Sequence, residues 1–222
     1  MADLLTIIVR TVLCGWLLAS SQTVAQREGG LSEWNRFRGP NGTGLGQGSY
    51  PAAVGPEQGV IWKRPFAQGH SSPVFGSEVM FLTGVEGEKL FTYAVDIVDG
   101  EILWQREAPR PRRTSFHSKN GPAAASAAVD ADTVVVFFDE YGMLAYDHRG
   151  NERWRMPLGP FFNIYGMGAS PILVDGTVVL ACDDGKSSYV IGVDKATGDV
   201  RYKVARPNAV SGHCTPVIYR PK

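Results

Sequence analysis

Cysteine is scarce in this chain: three residues among 222, at positions 14, 182 and 214. So thin a supply excludes a disulfide-stapled scaffold and a cysteine-based zinc site. No Cys-x-x-Cys-His occurs, so no c-type haem is attached. Net charge is missing as well, because Lys plus Arg and Asp plus Glu stand at 22 each. No field of one sign draws nucleic acid or an acidic membrane. There is no Gly-x-Ser-x-Gly nucleophile turn, and Gly39 through Gly48 lacks the Gly-Lys-Ser/Thr ending of a phosphate-binding loop. Asp183-Asp184-Gly185 lacks the spacing of a calcium loop and reads as a hairpin turn. Long apolar runs are absent too. The stretch from Leu4 through Ala19 is broken by Arg10, short of the roughly 20 residues a spanning helix needs.

What the chain has instead is a recurring phrase. Tyr93-Ala94-Val95-Asp96 leads through Gly100 to Trp104; Leu144-Ala145-Tyr146-Asp147 leads through Gly150 to Trp154. Ile191-Gly192-Val193-Asp194 leads in the same way through Gly198 to Tyr202. An aromatic stands four residues after each glycine, and Trp62, Trp104, Trp154 and Tyr202 fall 42, 50 and 48 residues apart. Periods of this size mark propellers and solenoids. Each phrase is a hairpin: the Asp carboxylate can take backbone amides two residues on, and Gly supplies the positive φ of the turn. Asp96, Asp147 and Asp194 therefore serve the fold and are not catalytic carboxylates.

Two further elements precede each hairpin. Glu78–Thr83, Thr133–Phe138 and Thr177–Cys182 are β-branched and nearly continuous, as suits strands buried on both faces. Earlier still, Ser72-Pro73-Val74-Phe75, Ser126-Ala127-Ala128-Val129, Ser170-Pro171-Ile172-Leu173 and Thr215-Pro216-Val217-Ile218 open with a small residue and often Pro. Proline is tolerated at the first residue of a strand. Four short strands per unit make one propeller blade, so the fold class is an all-β propeller of four-stranded antiparallel blades.

The Ala-apolar-Asp…Gly-x-x-x-Trp phrase resembles the repeat of pyrroloquinoline-quinone-type (PQQ-like) β-propellers. Trp34-Asn35-Arg36-Phe37-Arg38-Gly39-Pro40-Asn41-Gly42-Thr43-Gly44 is similar to the opening of a secreted bacterial group of them. The resemblance covers residues 34–222. It implies a group that includes quinoprotein alcohol dehydrogenases and a non-catalytic propeller lipoprotein of the outer-membrane assembly machinery. No Trp here is followed by Asp, against a WD40 repeat.

The organisation expected is a signal peptide at 1–25, a turn-rich lead-in at 26–58 and a partial propeller at 59–222. Arg10, an apolar core and Thr23-Val24-Ala25 before Gln26 carry the first assignment. A retained anchor is the alternative; Cys14 stands in no lipobox. Val60-Ile61-Trp62-Lys63 reads as an outer strand, followed by three blades and an opening strand at Thr215. Rings close with about four to eight blades, so the chain reads as part of a protein about twice this length, or else as an open arc. Cys182 and Cys214 are expected either to bond or to stay as buried thiols.

Chemistry belongs in the loops entering the inner strands, which converge near the channel. They carry His70, then His117-Ser118-Lys119-Asn120, then Tyr165, then His213. Three histidines there could hold a transition metal, though satisfying loop backbone is the favoured role. Lys119 and Asn120 suit an anionic or carbonyl-bearing ligand. Arg110, Arg112 and Arg113, among prolines, read as a solvated loop. We expect an exported, non-enzymatic scaffold offering a face to a protein or small ligand, with no cofactor, metal or nucleic acid. The alternative implied by the resemblance is a quinoprotein oxidoreductase holding PQQ and calcium. It is disfavoured because no vicinal Cys-Cys pair occurs and Trp34, Trp62, Trp104 and Trp154 all have structural roles.

Overall fold

The computed structural model describes residues 34–46, 48–49 and 51–221. The signal-peptide assignment, with Arg10 and Cys14, lies outside the described residues. Twelve strands form three four-stranded antiparallel sheets, each a meander in chain order. The first blade holds β1 (Val74–Gly76), β2 (Val79–Glu86), β3 (Lys89–Asp96) and β4 (Ile102–Ala108). The second holds β5 (Ala128–Val129), β6 (Val134–Phe138), β7 (Gly142–Tyr146) and β8 (Glu152–Pro157). The third holds β9 (Ile172–Val174), β10 (Thr177–Cys182), β11 (Tyr189–Asp194) and β12 (Val200–Ala205). The short strands β1, β5 and β9 lie innermost and side by side. This is an open arc of propeller blades.

Alternate residues of the middle strands serve different interfaces. Val134, Val136 and Phe138 pack toward the first blade with Phe81, Leu90 and Trp104. Val135 and Phe137 pack toward the third with Val178, Leu180 and Ile191. Both faces of β6 are thus buried, which is why its sequence is continuously apolar rather than alternating.

The repeated aromatic locks each blade to the next. Trp62 donates its indole N–H to the Ile97 carbonyl at 2.9 Å, Trp104 to His148 at 2.9 Å and Trp154 to Lys195 at 2.8 Å. Each ring lies so close over the turn glycine of the following unit (Gly100, Gly150 or Gly198) that a Cβ there would collide with it. These glycines answer two demands, a positive φ and a flat floor for the indole. Opposite the aromatic stand Ala94, Ala145 and Gly192, and a bulge follows at the same place in every blade. The Asp residues act as turn caps, as expected: Asp96 accepts the Val98 amide, Asp147 that of Arg149 and Asp194 that of Ala196.

A second belt runs nearer the axis. The Ser72 amide donates to the Ser126 hydroxyl at 2.8 Å, Ser126 to Ser170 at 3.0 Å and Ser170 to Thr215 at 3.0 Å. The small residue opening each inner element is therefore an acceptor for the preceding blade.

Several expectations need correction. Val60–Lys63 and Thr215–Ile218 form no strand, because no described strand lies beside either to complete a ladder. Ile218 instead has its backbone N–H and C=O both bonded by the Asn41 side-chain amide, at 2.7 and 2.8 Å. The lead-in runs along the inner elements. Trp34 accepts the Phe75 amide, Asn35 accepts that of Val129, and the buried Arg36 reaches the Pro216 carbonyl.

The arginine knot is a solvated loop only at Arg113, which is exposed; Arg110 and Arg112 are partly buried. Arg110 pairs with Glu140, Arg112 donates to the Asp139 and Leu158 carbonyls, and Arg113 pairs with Glu88. The knot ties the first blade to the second. Cys182 and Cys214 are both free, and only Cys182 is buried. Burial pushes the Cys182 thiol up to about 12, so it is an inert core group. Among the described residues no helix is long and apolar enough to cross a membrane.

Candidate functional site

In a meander, the connection into each inner strand lies at the same end as the hairpin joining the two middle strands. We call this end the upper rim. Three inter-blade loops, at 109–127, 158–171 and 206–214, meet there. They line a shallow, open cleft of about 400 Å³ with His117, Lys119, Asn120, Tyr165, Gly168 and His213. Five of the six candidate residues come together. The sixth, His70, does not line the cleft; its amide is held by the Ala123 carbonyl at 2.9 Å and its ring lies beside Gly121.

Tyr165 stands between the two histidines. Its ring centroid is 5.2 Å from that of His117 and 6.0 Å from that of His213, tilted by 55° and 76°. A phenol wedged between two imidazoles keeps them from a shared ion. Among the described residues no group of three His, Cys, Asp or Glu side chains is placed to hold a metal ion, so the three-histidine arrangement is not formed. Lys119 is exposed and enters no ion pair among the described residues. Gly168 is small enough for His213 to lie against it.

The loop that carries Tyr165 is strongly pinned. Asn163 accepts the Tyr165 amide on its side chain at 3.0 Å and the Gly166 amide on its carbonyl at 3.0 Å. Asp139 accepts the Met167 amide at 2.7 Å, Asn120 donates to the Tyr165 carbonyl, and Gly185 donates to the Phe162 carbonyl at 2.8 Å. Phe161 plugs inward against Phe137. Asp139 and Phe162 help hold this loop, and the sequence analysis singled out neither. Nothing local in Phe138-Asp139-Glu140 signals that its carboxylate holds a loop 28 residues on.

Burial pushes the Asp139 carboxyl up to about 6, with the Met167 amide and Arg112 opposing that shift. The folded state therefore holds this proton more tightly than the unfolded chain. Its stabilising effect is complete below the unfolded value of 3.8 and is lost as pH rises through about 6. Relative to Asp139→Asn, the parent should lose about 2–3 kcal/mol between pH 4 and pH 7. Urea unfolding at the two pH values checks this. A constant difference would show that Asp139 is not desolvated.

The repeat geometry has a counterpart among known proteins. A family model described as outer membrane protein assembly factor BamB matches residues 52–164 and again 93–220. The chain belongs to this PQQ-like repeat family. The two matches span all three blades. Among solved structures, the PQQ-like blades superpose on quinohemoprotein alcohol dehydrogenase ADHIIG from Pseudomonas putida HK5 with a TM-score of 0.53 at 22% identity. That match covers 66% of this chain and 22% of the dehydrogenase. Quinohemoprotein alcohol dehydrogenase from Comamonas testosteroni gives 0.48 at 18%, covering 63% and 21%. BamB from Moraxella catarrhalis gives 0.42 at 18%, covering 64% and 39%. At these identities the first likeness shows the fold alone, and the other two add no weight. The chain spans well under half the length of each of these proteins. No curated protein matches it in sequence.

Proposed function

We propose that this PQQ-like propeller is an exported, non-enzymatic scaffold whose upper rim binds another protein or a small ligand. The observation that carries the reading is the cleft itself. Five side chains from three separate loops converge there, and the central loop is held by backbone and side-chain bonds before any ligand arrives. A site built in advance lowers the ordering cost of binding. The family model's description as an assembly factor supports a protein-binding role. The balanced charge gives no reason to invoke nucleic acid.

A quinone cofactor held with calcium would need carboxylate ligands and a flat aromatic floor. The cleft is lined by no carboxylate. Trp62, Trp104 and Trp154 are engaged in blade docking, and Trp34 lies on Gly39. The lining residues do not fit that group. Reconstitution of the chain with PQQ and calcium, followed by dye-linked alcohol or sugar oxidation, is expected to give no turnover above the metal-free control. Robust turnover would overturn the scaffold reading in favour of the oxidoreductase. Export is checked separately by intact mass, which should place the N-terminus of the native protein at Gln26.

A further inference from the structure

Beside the cleft, the pinned loop turns large apolar groups outward. Phe162, Ile164 and Tyr165 are 47%, 74% and 45% exposed, while Phe161 before them and Asn163 among them are buried. Water ordinarily drives such groups inward, and a free loop could fold them away. This one cannot, because the bonds to Asn163, Asp139, Asn120 and Gly185 fix its backbone. Three exposed apolar side chains on a rigid loop form the kind of anchor that protein interfaces use.

The exposed charge beside this anchor is positive. Lys119 lies in the cleft beside Tyr165. Lys186 projects from the β10–β11 hairpin and sits over the Phe162 ring at 3.4 Å from its centroid. Neither lysine has a carboxylate partner among the described residues. Asp183 and Asp184 in the same hairpin are buried: Asp183 pairs with Arg206, and Asp184 accepts the Lys186 and Ser187 amides. An apolar ridge flanked by two exposed cations complements a segment that pairs apolar side chains with carboxylates.

We infer that the upper rim docks an acidic, apolar peptide segment of a protein partner, with Phe162, Ile164 and Tyr165 as the apolar anchor and Lys119 and Lys186 as the charge clamp. This rests on the scaffold reading and names its partner's chemistry. Peptide docking needs no new covalent chemistry, so retention of the peptide is the readout.

The test uses the full chain, immobilised, and three decapeptide pools. One alternates Asp or Glu with Leu, Ile or Phe; the second has Lys at the acidic positions; the third has Ser at the apolar positions. The first pool should be retained about fivefold or more over the other two at 0.15 M salt. Ile164→Ser and Lys119→Glu change exposed side chains and should leave the melting temperature unmoved. Each should lower retention of the first pool by about fivefold. Equal retention of the pools, no retention, or retention unaffected by Ile164→Ser overturns the proposal. Succinate competing fully at millimolar concentration, with no effect of Ile164→Ser, would mark a small-anion site. That outcome overturns the peptide partner and leaves the scaffold standing, whereas turnover with PQQ and calcium removes the scaffold reading independently of any peptide result.

Discussion

Trp104→Ala will lower the unfolding free energy by about 3–5 kcal/mol, the range for truncating a buried aromatic in a core. The indole is 7% exposed and lies between blades, tilted against Phe81 at 5.9 Å and Tyr146 at 5.7 Å. Its N–H leaves the His148 carbonyl without a partner when removed, and its face leaves Gly150 uncovered. Transfer, cavity and lost hydrogen bond all act in one direction. Urea unfolding followed by tryptophan fluorescence and circular dichroism measures the loss. His70→Ala is the internal control: an exposed ring outside the cleft should cost no more than about 0.5 kcal/mol. Similar losses at both positions would mean that the assignment of strands and loops is wrong.

Glu140→Ala is expected to be about as damaging, near 3–5 kcal/mol, for an electrostatic reason. Glu140 is fully buried in the β6–β7 hairpin, paired with Arg110 and accepting the Thr114 amide at 2.5 Å. Arg110 is itself largely buried on its side chain. Truncation leaves a guanidinium in a low-dielectric setting without its counter-charge, which costs far more than the pair was worth against water. The double change Arg110→Met with Glu140→Met should recover most of the loss, because two apolar groups leave no orphaned charge. A double variant no better than Glu140→Ala would show that the Thr114 amide, rather than the ion pair, dominates.

The repeat was legible in the sequence because its causes are local. Asp147 bonds the Arg149 amide two residues on, and Gly150 turns the chain within the same five residues. Strands buried on both faces, such as β6, declared themselves by continuous apolar, β-branched runs. The cleft was partly legible too, since equivalent positions in successive units must reach one rim. That logic fixes height on the rim and not position around it, which is why His117 and His213 met at Tyr165 while His70 did not. The arginine knot misled because prolines and charges in sequence look like a wet loop. Its partners Glu140 and Glu88 lie 30 and 25 residues from Arg110 and Arg113, beyond any local pattern. Thr215–Ile218 carried a strand's composition but lacked a described partner strand, and composition cannot supply one.

The hydroxyl belt gives the molecule a temporal order as well as a spatial one. Each link reaches forward only, from Ser72 to Ser126, Ser126 to Ser170 and Ser170 to Thr215, across 54, 44 and 45 residues. The indoles reach forward in the same sense, from Trp104 to His148 and from Trp154 to Lys195. During synthesis, a newly emerged blade has its own ladders but not its locks. Its amide and indole wait for the next unit to leave the ribosome, about 45 residues later, and only then does that blade become hard to open. Protection against hydrogen exchange should therefore be gained vectorially, one unit behind the growing end of the chain.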